Sequence, residues 1–142
     1  MAFIAHRIIR FDDVDHAQVV YFPRFLEFCH QTFEDFFNAE AKLPYVALLG
    51  DRGVGFPAVH AEADYFSPLR FGDSCRISME LLRLGTRSIT HRFRIYRGED
   101  LLAAEVKLVM AAIAVPGFTP RDIPEDIRAL LQRNAAAAEG GA

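Results

Sequence analysis

The chain has 142 residues, of which 51% are hydrophobic and 25% are charged, and its net charge is −3. This length corresponds to a single domain, and the slight negative charge provides no basic field that would favour nucleic acid. The sequence has no apolar run of the roughly 18 residues that a membrane span requires. Its first residues are too short and too soon charged for a signal peptide. We therefore expect a cytoplasmic protein without nucleic-acid or membrane partners.

Hydrophobic periodicity predicts the secondary structure in chain order. Residues 3–11 are apolar-rich and end at an acidic turn, which indicates a strand. From Phe22 onward the apolar residues recur at helical spacing, which predicts a long helix that ends by about residue 42, before Pro44. Four further segments, bounded by turn signals and mostly alternating between apolar and polar residues, predict strands: 58–66, 75–81, 89–96 and 102–112.

The order of these elements predicts the fold class. Short connections join antiparallel neighbours, so one aromatic helix and four consecutive strands indicate an α+β fold, a hot-dog arrangement in which an antiparallel sheet wraps around a long central helix. We expect one domain over residues 1–133, ending in a helix from Pro124 to about Arg133, and a disordered Ala-rich tail over residues 134–142. A single helix covers one face of a sheet, and dimerisation would cover the rest.

The connection between the first strand and the helix carries the main candidate chemistry. Three carboxylates lie within residues 12–15, and the helix begins near Tyr21-Phe22-Pro23 without a Ser, Thr, Asp or Asn cap. An uncapped N-terminus leaves backbone N–H groups that attract negative charge. Asp15 beside such donors favours attack on a carbonyl, with the helix end as the oxyanion hole. Alternatively, Asp15 is a solvated turn carboxylate, because Asp is common in turns.

Other reaction centres are disfavoured by the sequence. Cys29 lies on the apolar stripe of the helix and Cys75 alternates with apolar strand residues, so both thiols are expected to be buried. Ser88 lacks the GxSxG motif of an α/β-hydrolase. An Asp13-x-Asp15 pair after a strand also occurs in aspartyl-phosphate phosphohydrolases, but their fold alternates strands and helices. The histidines show no ligand-like spacing, so we expect neither a metal ion nor a cofactor.

Two histidines and one turn are further binding candidates. His16 adjoins Asp15 and either polarises a substrate group or caps the turn. His60 lies on a predicted strand and either faces a substrate pocket or is satisfied within the sheet. Arg87 lies at a turn beside Ser88, where a guanidinium group can bind a phosphate at the surface.

The segment at residues 13–23 reads D-V-D-H-A-Q-V-V-Y-F-P and runs into an aromatic helix. It resembles the 4-hydroxybenzoyl-CoA thioesterase family of hot-dog acyl-CoA thioesterases. Residues 55–59 and 66–73 look like the second strand of that family and the turn after it, and the resemblance covers roughly residues 5–115. It implies that the protein hydrolyses an acyl-CoA thioester to a free acid and CoA.

The resemblance also implies roles for individual residues. Asp15 matches the catalytic aspartate, and the backbone N–H of Phe22 matches the oxyanion donor. The acyl pocket of the family lies at a subunit interface, so a homodimer or a homotetramer made of two dimers is expected. Arg87 and Ser88 match the region that contacts the CoA phosphates. The positions that match the pocket lining are Tyr21, Phe22, Tyr45 or Val46, Phe56, Pro57 and Ala58.

The chain departs from the family pattern in ways that concern specificity. Gln18 stands where the family often has Gly, while His16 and Tyr21 replace the Pro and Trp of relatives that act on 4-hydroxybenzoyl groups. A branch acting on short acyl-CoAs has His at Phe22, and Gly85-Thr86 replaces part of the CoA-binding basic turn. We expect an aryl-type substrate, 4-hydroxybenzoyl- or benzoyl-like. The alternatives are a thioesterase for short or medium aliphatic acyl-CoA or acyl-carrier protein, and a non-catalytic acyl-CoA-binding module.

Overall fold

Eight strands and three helices form the protein in a computed structural model that describes residues 1–136. The strands are β1 (Phe3–Ile8), β2 (Val54–Gly55), β3 (Ala58–Tyr65), β4 (Ser74–Leu84), β5 (Ser88–Arg97), β6 (Leu101–Ala111), β7 (Ile113–Ala114) and β8 (Thr119–Pro120). Five of them form an antiparallel sheet in the order β1-β4-β5-β6-β3, and β2, β7 and β8 form a small second sheet. The predicted hot-dog architecture of antiparallel sheet and packed helix is confirmed.

The long helix matches its prediction closely. The helices are α1 (Arg24–Asp35), α2 (Tyr45–Leu49) and α3 (Glu125–Gln132). A π-helical turn over Phe36–Glu40 extends α1 toward the predicted end, and a 3₁₀ turn over Phe11–Asp13 follows β1. Among residues 1–136, no helix has the length and apolar character that crossing a membrane requires.

The core lies between α1 and the five-stranded sheet. Phe25, Phe28 and Phe33 of α1 are buried, and so are the alternating side chains Ile89, His91, Phe93 and Ile95 of β5. The ring centroids of Phe33 and His91 are 5.6 Å apart. The apolar side chains that alternate along the strands therefore face the apolar side chains that recur at helical spacing on α1, and together they form one hydrophobic layer.

The prediction that consecutive strands are neighbours is wrong for β3 and β4. β3 pairs with β6, from Ala58 opposite Met110 to Tyr65 opposite Ala104. The connection over residues 66–73 is long enough to cross to the other side of the sheet. It is fixed there because Leu69 is buried and because the Gly72 N–H donates to the Ile9 carbonyl (2.9 Å). β3 is therefore an edge strand.

Residues 134–136, at the start of the predicted disordered tail, pair with β4. Asn134 is buried, its carbonyl accepts the Leu81 N–H (2.7 Å), and the Ala136 N–H donates to the Leu81 carbonyl (2.9 Å). This pairing is possible because β1 covers β4 only as far as Met79, opposite Phe3, so Leu81 is free to pair. The rest of the predicted tail, residues 137–142, lies outside the described residues.

Candidate active site

Asp15 begins a tight loop between two short extended segments. Val14 and Val20 form an antiparallel bridge. The Asp15 N–H donates to the Val19 carbonyl (3.0 Å), and the Gln18 N–H donates to the Asp15 carbonyl (2.9 Å). Gln18 adopts a φ of 66°, in the left-handed region that favours glycine. The loop therefore keeps a glycine-like backbone although a glutamine occupies the position.

The carboxylates of the connection have different roles. Asp13 is only 5% exposed, and its Oδ2 accepts the Arg10 N–H (2.8 Å). Asp15 is exposed, and its Oδ1 accepts the Ala17 N–H (2.8 Å), which fixes the orientation of the carboxylate. Asp15 Oδ2 has no partner among residues 1–136. Asp13 is thus used to build the turn, while Asp15 presents a free oxygen.

The start of α1 leaves one backbone donor unused. No side chain of residues 1–136 caps this helix, and the N–H groups of residues 24–26 donate to the carbonyls of residues 21–23 (2.8–3.3 Å). The Tyr21 N–H donates to the Asp13 carbonyl (3.0 Å). The Phe22 N–H has no acceptor in the described part of the chain, and the residue after it is a proline. The predicted oxyanion donor is therefore available, whereas the other helix-start N–H groups are not.

The two catalytic candidates line different clefts of the single chain. Asp15 and His16 lie in a cleft of about 810 Å³ that also includes the exposed residues Phe11, Arg70 and Phe71. Phe22 lines a cleft of about 310 Å³ with Phe25, Tyr65, Phe66 and four residues of the flanking segments. The Phe11–Phe71 ring pair and the Arg70 guanidinium group in the first cleft were not among the predicted site residues.

A third cleft contains several of the residues predicted to bind substrate. Tyr45, Phe56 and Pro57 line a largely apolar cleft of about 360 Å³, together with His30 and Phe118. Burial and, to a smaller extent, the nearby Glu34 carboxylate raise the pKa of Tyr45 to about 12. The Tyr45 phenol is therefore a neutral donor at working pH. His30 was not predicted to line a pocket, because its position is on the polar side of the predicted helix pattern.

The remaining predicted pocket residues are more exposed. Tyr21 is 50% exposed and packs edge-on against Phe22, with ring centroids 5.4 Å apart. Val46 is 77% exposed on α2. Ala58 and His60 are exposed on β3, where His60 Nε2 lies 3.1 Å from Glu62 Oε1. The single chain does not bring these four residues into the third cleft.

The predicted CoA-binding turn lies next to the third cleft. The Ala111 N–H donates to the Pro57 carbonyl (3.0 Å), and the Ala112 N–H donates to the Arg87 carbonyl (2.8 Å). Ser88 pairs with Ala111 in the sheet. The consecutive residues Ala111 and Ala112 thus bond the pocket residue Pro57 and the turn residue Arg87, so the pocket and the turn are adjacent.

The side chains at this turn are already engaged with other residues. Arg87 Nε donates to Asp122 Oδ1 (2.8 Å), and both side chains are more than half exposed. Arg128 of α3 donates to the Gly85 carbonyl (2.6 Å), which brings a second guanidinium group to the turn. That arginine is far away in sequence, so the local pattern could not assign it there.

Thiol and metal chemistry gain no support within residues 1–136. Cys29 and Cys75 are buried, as predicted, and burial raises the pKa of both thiols, that of Cys75 to about 12. No group of three or more His, Cys, Asp or Glu side chains in the described residues could hold a metal ion.

Comparison with known proteins decides the family. The model of the family described as thioesterase-like superfamily matches residues 9–131. The chain belongs to this superfamily. It is 29% identical over 140 residues to a 1,4-dihydroxy-2-naphthoyl-CoA hydrolase of Nostoc punctiforme, covering 99% of this chain and 93% of the relative. It is 35% identical to a hydrolase of the same name from Rippkaea orientalis, covering 75% and 78% of the two chains.

A solved structure agrees with this assignment. The 1,4-dihydroxy-2-naphthoyl-CoA thioesterase from Synechocystis superimposes with a TM-score of 0.82 at 25% identity, covering 92% of this chain and 96% of that chain. The prediction of a thioester hydrolase with the hot-dog fold is confirmed at this level. The named relatives act on a dihydroxynaphthoyl thioester, so the match does not single out the 4-hydroxybenzoyl branch.

Proposed function

We propose that this thioester hydrolase cleaves a hydroxylated aryl-CoA to the free acid and CoA. The observation that carries the proposal is that one short connection holds both an Asp15 carboxylate oxygen and a Phe22 N–H that have no partner among residues 1–136. The names of the relatives favour an aryl group, and 1,4-dihydroxy-2-naphthoyl-CoA is the first candidate. The 4-hydroxybenzoyl and benzoyl thioesters are the next.

The chemistry follows from these two groups. The Phe22 N–H, at the positive end of α1, stabilises the negative charge that develops on the thioester oxygen. Removing one such donor typically lowers the rate by a factor of about 100 to 1,000. Asp15 either attacks the carbonyl to give a mixed anhydride or deprotonates a water molecule. The departing thiolate is a good leaving group, so no strong general acid is needed.

A homodimer would bring the third cleft of one protomer to the catalytic connection of the other. The outer edge of β3 has no partner strand in the described residues, and it carries the exposed Val59 (62%). β3 runs from Ala58, which follows the third cleft, to Tyr65, which contacts Phe22. If two β3 edges pair antiparallel, the Tyr65 end of one copy meets the Ala58 end of the other. The catalytic connection of one protomer would then face the Phe56–Pro57 cleft of its partner.

The third cleft suits a flat hydroxylated ring. Its volume of about 360 Å³ lies within the usual range of ligand pockets. Most of its wall is apolar, and the Tyr45 phenol and His30 imidazole pack edge to face with ring centroids 6.0 Å apart. Two neighbouring polar groups in an apolar cleft can bind ring hydroxyls, which an aliphatic chain lacks.

The CoA end would bind at Arg87 and Ser88. The Arg87–Asp122 pair is exposed, and exposed ion pairs contribute only about 0–1 kcal/mol. A phosphate can therefore replace Asp122, because its oxygens match the guanidinium donors. Arg128 beside the same turn would add positive charge.

Hydrolysis of a panel of thioesters, monitored by the release of free thiol, tests the proposed function. The panel contains 1,4-dihydroxy-2-naphthoyl-, 4-hydroxybenzoyl-, benzoyl- and short aliphatic CoA, and the variants are Asp15→Asn and Asp100→Asn. Asp100 lies in the turn before β6 and is exposed, so it is the matched control. We expect Asp15→Asn to lower kcat at least about 100-fold and Asp100→Asn to match the wild type. Full activity of Asp15→Asn would contradict the mechanism.

The same panel separates the alternatives. A preference for short aliphatic thioesters would replace the aryl assignment with the aliphatic one. Binding of all thioesters without thiol release would point to a non-catalytic acyl-CoA-binding module, or to a substrate carried by an acyl-carrier protein. Sedimentation of the active protein as a monomer would contradict the composite site.

A further inference from the structure

Tyr65, at the end of the edge strand β3, contacts the residue that carries the oxyanion donor. Its hydroxyl donates to the Phe22 carbonyl (3.2 Å), across 43 residues of sequence. We infer that Tyr65 is a positioning residue, whose hydroxyl orients Phe22 so that its N–H points at the thioester oxygen. The inference rests on the proposed function.

The Phe22 ring packs against the rings of Tyr21 and Tyr65, but few hydrogen bonds within residues 1–136 orient its backbone. On its N-terminal side, the Val20 N–H donates to the Leu69 carbonyl (2.8 Å) and the Tyr21 N–H donates to the Asp13 carbonyl (3.0 Å). On its C-terminal side, two donors of the described residues reach its carbonyl: the Phe25 N–H at 3.3 Å and the Tyr65 hydroxyl at 3.2 Å. Loss of the Tyr65 hydroxyl would leave the Phe22 carbonyl with one long hydrogen bond, from the Phe25 N–H.

The orientation of Phe22 matters because an oxyanion donor works only when it is already aligned. Such a donor must lie within about 3 Å of the position that the developing oxyanion occupies. A small rotation of the Phe22 backbone would lengthen that distance without removing the N–H. The consequence would be weaker stabilisation of the transition state and little change in the binding of the ground state.

Tyr65 is suited to act as a fixed support. Its backbone pairs with Ala104 of β6, and its ring packs edge-on against Phe25, with centroids 5.1 Å apart. The ring contacts need only a phenyl group, whereas the hydrogen bond needs the hydroxyl. Burial raises the pKa of Tyr65 above its usual range, so the hydroxyl stays protonated and can donate at any working pH.

The test compares Tyr65→Phe with Tyr96→Phe. Both changes remove one hydroxyl and keep the ring, but Tyr96 packs under the Arg76 guanidinium (4.3 Å) on β5. We expect Tyr65→Phe to lower kcat by about 3- to 10-fold, the range that one net hydrogen bond supports, with KM and the unfolding temperature little changed. Tyr96→Phe should match the wild type. An unchanged kcat in Tyr65→Phe would overturn the inference.

A series of para-substituted benzoyl-CoA substrates distinguishes positioning from partial inactivation. A misaligned N–H stabilises less of the negative charge in the transition state, so the rate depends more strongly on how well the ring substituent withdraws electrons. We therefore expect kcat to rise more steeply with electron withdrawal in Tyr65→Phe than in the wild type. A simple loss of active protein lowers kcat for every substrate by the same factor and leaves the dependence on the substituent unchanged. That result would reject the inference. If the wild type cleaves no aryl thioester, the proposed function itself fails.

Discussion

Lowering the pH should destabilise this protein through one buried imidazole group, that of His91. Its side chain is fully buried on β5, and neither ring nitrogen has a hydrogen-bond partner in the described part of the chain. The nearest rings are those of Phe33 and Phe93, with centroids 5.6 and 5.9 Å away. Burial among these apolar groups lowers the pKa of His91 from its usual 6.5 to about 3.

The size and direction of the effect follow from proton linkage. Below pH 6.5 the unfolded chain protonates this imidazole and the folded chain does not, so the unfolded state gains stability as the pH falls toward 3. The free energy of unfolding should therefore be about 2 kcal/mol lower at pH 5 than at pH 8 from this group alone. Above pH 7 the contribution of the group should be constant.

Urea unfolding of the wild type and His91→Leu at pH 8, 6 and 5 tests this reasoning. Leu has a similar volume and removes two unsatisfied polar atoms, so the variant should be more stable by about 1–3 kcal/mol at pH 8. The gap should widen by about 2 kcal/mol at pH 5. His60→Gln, which removes an exposed imidazole, is the control.

Parallel pH dependences of the wild type and His91→Leu would refute the reasoning. Such a result would mean that the folded state protonates His91 as readily as the unfolded chain does. A lower stability of His91→Leu at pH 8 would contradict the claim that the two nitrogens are buried without partners.

Two further predictions concern the loop and the CoA turn. Gln18→Gly should raise the free energy of unfolding by up to about 1 kcal/mol, because Gly relieves the left-handed strain. As a control, Gln31→Gly inside α1 should lower the free energy of unfolding by about 1 kcal/mol. Chemical denaturation measures both changes, and a destabilised Gln18→Gly protein would contradict the argument. Arg87→Gln should raise KM for acyl-CoA several-fold with kcat unchanged, while Asp122→Asn should lower KM by freeing the Arg87 guanidinium group. Steady-state kinetics check this pair, and equal KM values in all three proteins would remove Arg87 from the CoA site.

Local patterns in the sequence determined the elements and the region of the site. Alternation along β4, β5 and β6 and helical spacing along α1 depend only on which residues are apolar, so both were predictable. The absence of a capping residue near Phe22 and the cluster of carboxylates before it were also visible, because helix starts follow short-range rules. The same rules could not say which N–H groups stay free, since the N–H groups of residues 24–26 donate to the carbonyls of residues 21–23.

Tertiary structure alone decided how these parts meet. Asp13 and Asp15 look alike in sequence, and only folding buries one against the Arg10 N–H and leaves the other exposed. β3 is next to β6 because the connection after Tyr65 crosses the sheet, and this choice also brings the Tyr65 hydroxyl to Phe22. Such pairings depend on the combined energy of contacts between distant segments, which no local periodicity records.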